Sequence, residues 1–249
     1  MKIREILSRD NPTFKTWLQI RRARGIKKQG LALLAGPKPV HEVLAAFPHR
    51  CAGIIFTSHH QPPSVPPGLP RYRLSPDLFH LLDLFDTGRP LLLVRLDPFP
   101  PFAPEQCPSG CTVCIPFQDP ANVGAVIRTA AALGAAQIVI LKEAAHPFHP
   151  KSLRSAGSTL FKIPILEGPS INRLDTGEVP LITLSPNGVD LRDFQFPSTF
   201  CLLPGLEGPG LPGSVRPSAQ LAIPMDRDVD SLNSATATAI SLYCWRKGR

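Results

Sequence analysis

The sequence has no long apolar run: none of its stretches reaches the roughly 18 residues that a membrane-spanning helix requires, so no helical span is expected. The opening Met1-Lys-Ile-Arg-Glu-Ile-Leu-Ser-Arg9 lacks the apolar core of a signal peptide, which makes a cytoplasmic protein the expectation. Acidic residues are nearly missing from the first 30 positions. There Lys2, Arg4, Arg9, Lys15, Arg21, Arg22, Arg24, Lys27 and Lys28 face only Glu5 and Asp10. Such a segment is the electrostatic footprint of a polyanion binder, with a solvated helix face as the bland alternative. Aromatic residues are scarce as well, at 7%. Phe14 and Trp17 are the only large apolar anchors near the basic segment, so a nucleic acid suits it better than an anionic lipid surface.

Six cysteines without a secretory signal indicate reduced thiols rather than a disulfide framework. Cys107, Cys111 and Cys114 carry the C-x₃-C-x₂-C spacing of an iron–sulfur triad. On a buried strand, however, Cys111 and Cys114 point to opposite faces and cannot converge on one metal. His146 and His149 lack a convergent Cys or acid, so no metal is expected.

Proline marks the organisation. Gln61–Pro70 reads as a loop, and Asp97–Pro104 with Pro108-Ser-Gly110 reads as a semi-rigid linker that ends one domain near residue 100. The expected domains are residues 1–98 and 105–249. In the first, a basic helix precedes Gly30, strands cover Leu31–Ala35, Ala52–Thr57 and Leu91–Leu96, and helices cover Pro37–Ala46 and Ser75–Leu84, with Ser75 as N-cap. This is a small α/β sandwich. In the second, strands Thr112–Pro116, Gln137–Leu141, Ile163–Leu166, Leu181–Leu184, Phe200–Leu203 and Leu221–Ile223 accompany helices from about Asn122 to Leu133 and Ser231 to Trp245. Apolar strands alternating with helices predict a parallel sheet covered on both faces, whose ligand site lies outside the strands' carboxyl ends.

Three cassettes fall at those ends. In Asp119-Pro-Ala-Asn122-Val-Gly124-Ala-Val-Ile-Arg128, Asn122 is either a helix N-cap or a functional group, and both roles can coexist. Arg128 is the only charge between Val123 and Gln137, on a helix of small and apolar residues. A lone guanidinium there calls for an anionic partner, a surface salt bridge being the alternative. In Leu203-Pro-Gly205-Leu-Glu207-Gly-Pro-Gly210, the glycines allow close approach of backbone to a ligand, with Glu207 as the polar group; a turn with an exposed acid is the alternative. The order G-x-x-G-x-G is not the dinucleotide fingerprint. In Ile223-Pro-Met225 with Ser231-Leu232-Asn233, the apolar residues could wall an adenine while Ser231 caps the last helix. The run His146–Ser158 reads as a polar basic loop in which Lys151 and Arg154 contact phosphate.

Together, N-x-G-x-x-x-R, G-x-E-G-x-G and I-P-M…S-L-N resemble the SpoU/TrmH family of RNA 2′-O-ribose methyltransferases, of the SPOUT superfamily, over about the C-terminal three fifths of the chain. The resemblance implies a deep trefoil knot formed by the last two cassettes and S-adenosylmethionine as cofactor. Leu184, Leu203, Gly205, Ile223, Met225 and Leu232 would bind it. Arg128 would be the catalytic arginine, with Asn122, Glu207, Ser231 and Asn233 orienting it and the ribose. Leu34-Ala-Gly36-Pro-Lys38-Pro-Val40-His-Glu-Val43-Leu also looks like the opening of a ribosomal-protein-L30-like substrate domain, which places RNA on Arg21, Arg22, Arg24, Lys27, Lys28, Lys38, Lys151 and Arg154. Such a leading domain favours 23S rRNA over tRNA. The resemblance further implies a homodimer, which Ile240, Leu242, Tyr243 and Trp245 of the last helix could supply. Pro204 and Pro209 flanking the glycines, and Ser234 where a branched apolar residue is usual, depart from the pattern without removing a matched polar residue. The rival readings are a non-catalytic RNA-binding protein for ribosome assembly and a base methyltransferase.

Overall fold

A computed structural model of the protein describes residues 3–206, 210–226 and 231–248. By packing, the chain divides into two units. One runs to Pro98 and includes Phe148–Phe161; the other comprises Phe99–Pro147 and the chain from Lys162 onward. The expected boundary near residue 100 therefore has a crossing, because Phe148–Phe161 belongs with the first unit.

The first unit contains β1 (Ile3–Ile6), α1 (Pro12–Gln19), α2 (Ala23–Gln29), β2 (Leu31–Leu34), α3 (Pro37–Ala46), β3 (Cys51–Phe56), β4 (Arg71–Leu74), α4 (Pro76–Leu82) and β5 (Leu91–Arg95). Its sheet runs β1-β4-β3-β5-β2. The first three strands are mutually parallel, and β5 is antiparallel to both of its neighbours. The single basic helix expected before Gly30 is two. Asn11 caps α1 by accepting from the Thr13 and Phe14 amides, and Gly30 closes α2 at φ 59°. The break folds α2 back onto the last turn of α1. A Cβ on Gly25 would stand 2.0 Å from the Gln19 carbonyl oxygen, so only glycine permits this approach. Phe14, Trp17, Ile20 and Ile26 are buried by it, and Trp17 meets Tyr72 of β4 edge-on at 4.9 Å. At α4, Ser75 occupies the N-cap position but makes no side-chain cap bond, and the helix ends at Leu82.

The second unit opens with β6 (Gly110–Ile115), α5 (Pro120–Leu133) and β7 (Gln137–Ile140). The chain then passes through α6 (Pro150–Ala156), in the first unit, where the sequence reading placed a loop. Leu153, Ala156 and Leu160 are buried there. Phe161 packs on Phe47 and Phe148, at 5.7 and 5.6 Å, and the Ser158 hydroxyl donates to Glu42. β8 (Ile165–Glu167), β9 (Leu181–Asp190), β10 (Thr199–Leu203), β11 (Ala219–Ala222) and α7 (Ser234–Lys247) complete the second unit. Its sheet order is β11-β9-β10-β6-β7-β8, and every pairing is parallel. β6 and β7 are buried along their whole length, which explains their largely apolar sequences; their two polar side chains pair, Gln137 Nε2 donating to Thr112 Oγ1 at 3.2 Å.

The cysteines obey the strand period. Cys111 sits beside Phe200 in register, and Phe200 packs against Trp245 of α7 at 5.8 Å. Cys114 faces the other way, into a core with Val139, Leu181, Cys201 and Leu203, against which Cys107 packs. Burial pushes the Cys107 thiol up to about 11; hydrogen bonding with Cys114, then burial, raises that of Cys201. Both stay protonated and unreactive at neutral pH. Among the described residues, no group of three or more His, Cys, Asp or Glu has the geometry to hold a metal ion. No described helix is long and apolar enough to cross a membrane.

Candidate active site

Two helix starts differ from expectation, and both shape the site. α5 begins at Pro120, capped by Asp119, whose carboxylate accepts from the Ala121 amide at 3.0 Å. Asn122 is therefore not the cap but lies inside the first turn. α7 begins at Ser234, and its cap is Asn233, not Ser231: the Asn233 Oδ1 accepts from the Ala235 and Thr236 amides at 2.9 and 3.2 Å. With its oxygen fixed on the helix, Asn233 turns its Nδ2 outward and donates to Asn122 Oδ1 at 3.3 Å. The first and third cassettes thus meet through a pair of side-chain amides.

A cavity of about 420 Å³ opens beside this pair. One wall is Leu184-Ser185-Pro186, which the irregular course of β9 creates. Gln220 of β11 pairs with Thr183 but the next residue, Leu221, pairs with Val189, so residues 184–188 loop out of the ladder. Gly188 brings them back, since a Cβ there would lie 2.5 Å from the Gln220 carbonyl oxygen. The second wall is Pro204, Gly205, Leu206 and Gly210 beyond β10; the third is Leu221, Ile223 and Met225 with Ser231–Ser234 and Ala237. Sequence reasoning missed Ser185 and Pro186, because a strand ending at Leu184 gives no sign of an excursion.

Of the six residues expected to hold a cofactor, Leu184, Gly205, Ile223, Met225 and Leu232 line this cavity. Leu203 does not; it is fully buried in the sheet core, where it anchors the turn that follows. Ser231 and Asn233 are in the lining, and Asn122 is joined to it through Asn233. Arg128 stands on the exposed side of α5, outside the lining, while Val123, Val126, Ile127 and Ala130 bury the other side. Glu207 lies outside the described residues.

All eight residues expected to meet RNA belong to the first unit. Arg22, Arg24, Lys27, Lys28 and Lys38 are exposed and Arg21 is half-buried. Lys151 and Arg154 are exposed one turn apart on α6, and Arg154 lies 5.0 Å over the Phe85 ring. His149 caps α6, its Nδ1 accepting from the Lys151 amide at 3.3 Å. Burial, with the Lys151 charge, lowers its pKa, so it stays neutral at pH 7.

The family model described as the SpoU rRNA methylase family matches residues 111–243. Across 98% of this chain there is 45% identity to a Syntrophobacter fumaroxidans protein named ribosomal RNA small subunit methyltransferase G 2, of whose length the chain spans about half, 49%. A Bacillus subtilis protein named 23S rRNA (guanosine(2553)-2′-O)-methyltransferase is 28% identical over 97% of this chain and 98% of its own length. The fold is shared with a rRNA methyltransferase from Sinorhizobium meliloti solved with S-adenosylmethionine bound, at a TM-score of 0.80, 23% identity and 98% coverage of both chains. Its matched region takes in the parallel sheet, the amide pair and the cavity, and covers more than half of the sequence: the chain belongs to the SpoU rRNA methylase family.

Proposed function

We propose that this protein is an S-adenosylmethionine-dependent methyltransferase that acts on a ribose 2′-hydroxyl of RNA, with 23S rRNA as the substrate. The observation that carries this reading is the cavity in which residues of the second and third cassettes converge beside the Asn122–Asn233 pair. The residues present fit the cofactor. Ile223, Met225 and Leu232 offer an apolar wall for a purine. At Gly205 the nearest atom a Cβ would meet among the described residues beyond its chain neighbours is the Leu184 carbonyl oxygen at 3.9 Å, which leaves backbone open to a ligand.

S-adenosylmethionine, when bound, supplies an electrophilic methyl group on a sulfonium centre. The protein has to hold the 2′-oxygen in line with that methyl and stabilise the negative charge developing on the oxygen. Arg128 suits the second task, because its guanidinium offers a planar fork of donors to a developing oxyanion. Asn233, immobilised by its cap bonds, fixes the orientation of Asn122. Ser231 and Glu207 complete the proposed set.

Asn233 separates its two roles experimentally. Asn233→Ala should cost about 1 kcal/mol of stability through the lost cap and also lower kcat, whereas Asn233→Ser should keep the cap and still lower kcat. Full turnover by the serine variant would remove Asn233 from the site.

Support for the RNA substrate comes from the basic first unit, which we read as a ribosomal-protein-L30-like capture domain (residues 1–98) ahead of a catalytic domain (residues 105–249). Family membership supports a trefoil knot formed by the last two cassettes, and a cytoplasmic location. It also supports a homodimer, for which the fold narrows the candidate residues. Leu242 and Trp245 are spent in the chain's own core, while Tyr243 remains 60% exposed on α7. Light scattering should give twice the chain mass; a stable monomer at micromolar concentration would end the dimer proposal. Mass-spectrometric mapping of ribose methylation in total RNA, with and without the gene, tests the substrate. One 2′-O-methyl group should vanish from large-subunit rRNA, and a loss confined to tRNA would overturn that assignment.

A further inference from the structure

A second concavity, of about 590 Å³, lies between the α1–α2 hairpin and the turn after α4. Arg21, Arg22, Arg24 and Lys28 line it together with Leu18 and Leu84. Among the described residues, the ion pairs of this unit are Lys15–Asp10, Arg50–Asp97, Arg73–Glu5 and His80–Asp86, and none engages the four cations of the concavity. Arg21 adds a sharper sign: its Nε is buried and has no hydrogen-bond partner among the described residues. Four like charges and an unmet donor in one hollow call for more than one anionic group.

The apolar component says what accompanies the anions. Leu84 is 39% exposed, yet it is not on a loose tip. The neighbouring Asp83 carboxylate, itself buried, accepts from the Gly88 amide at 2.7 Å and from the Thr87 hydroxyl at 3.0 Å, which pins the turn. The next residue, Phe85, receives Arg154 on its face. Duplex RNA presents its phosphates on a convex surface with its bases stacked inside. A hollow lined by four cations and two leucines instead suits a nucleotide whose base has left the stack.

We propose that this concavity binds one unpaired nucleotide of the RNA substrate, with its base on Leu18 and Leu84 and the flanking phosphates on Arg21, Arg22, Arg24 and Lys28. The inference rests on the RNA reading above and deepens it: the captured element is a loop, bulge or single strand.

Fluorescence anisotropy on the full chain tests this with two probes, a short oligouridylate and a blunt RNA duplex of equal length. The single strand should bind roughly tenfold more tightly. Leu84→Ala, which changes no charge, should weaken single-strand binding by about fivefold or more and leave duplex binding and the salt dependence unchanged. Arg21→Ala should weaken single-strand binding and reduce the slope against the logarithm of salt by about 0.7. Lys15→Ala, an equal change of charge on the preceding helix α1 at a residue paired with Asp10, should leave the single-strand preference as it was. Wild-type affinity in Leu84→Ala, or equal weakening of both probes in both variants, would overturn the nucleotide pocket while leaving RNA binding intact. A wild-type protein that binds neither probe would overturn the RNA reading itself.

Discussion

Arg128→Ala should lower methyl transfer by about 10²–10³ while leaving the fold and the affinity for S-adenosylmethionine near their original values. The size follows from removing one fixed charge aimed at an oxygen that turns anionic in the transition state. The selectivity follows from position. Arg128 is exposed on α5, whose packing depends on Val123, Val126, Ile127 and Ala130, and alanine is at home in a helix interior. The residue also lies outside the lining of the proposed cofactor cavity. Single-turnover rates alongside calorimetric cofactor binding make the comparison. Arg128→Lys should be poor too, because an ammonium cannot reproduce the planar fork of donors. Near-normal turnover in the alanine variant would remove Arg128 from the reaction.

Gly205→Val should give the opposite pattern. Among the described residues beyond its chain neighbours, the first side-chain atom at this position would meet nothing closer than the Leu184 carbonyl oxygen at 3.9 Å, so their packing tolerates it. The branched methyl groups would instead occupy cavity space beside Leu184 and Ile223. Crowding of this kind costs about 1–3 kcal/mol, or roughly 5- to 150-fold in cofactor affinity by calorimetry. RNA binding should be unchanged, since the eight basic residues read as RNA contacts all lie in the other unit. Undiminished cofactor affinity would show that the ligand does not approach this backbone.

Much of the second unit was legible because its central strands β6 and β7 are buried on both faces and read as largely apolar runs, and because glycine stops α5 at Gly134. The helix starts were harder. Asp119, Asn122, Ser231 and Asn233 are all good caps by residue type, and only the geometry shows that Asp119 and Asn233 hold those positions. β1 and β4 escaped notice because each is short and carries two charges, Ile3-Arg-Glu-Ile6 and Arg71-Tyr-Arg-Leu74, where the equally short β2 is wholly apolar. α6 was hidden by a polar, basic sequence whose few apolar residues, Leu153 and Ala156, pack against a distant part of the chain. That placement bears on experiments: a chain cut near Glu105 would leave Phe148–Phe161 without the partners that bury it, so binding studies call for the whole protein.

The pocket was foreseen through the cassettes, but its Ser185–Pro186 wall depends on a register jump in β9 that no local pattern announces.

The central claim, transfer to a ribose oxygen, is tested most directly by incubating the protein with methyl-labelled S-adenosylmethionine and ribosomal RNA and then digesting the RNA in alkali. Alkaline cleavage needs a free 2′-hydroxyl, so a 2′-O-methyl group protects the bond beside it. The account predicts label in alkali-stable dinucleotides, lost with Arg128→Ala. Label released as mononucleotides carrying a methylated base, or no label in RNA at all, would contradict it.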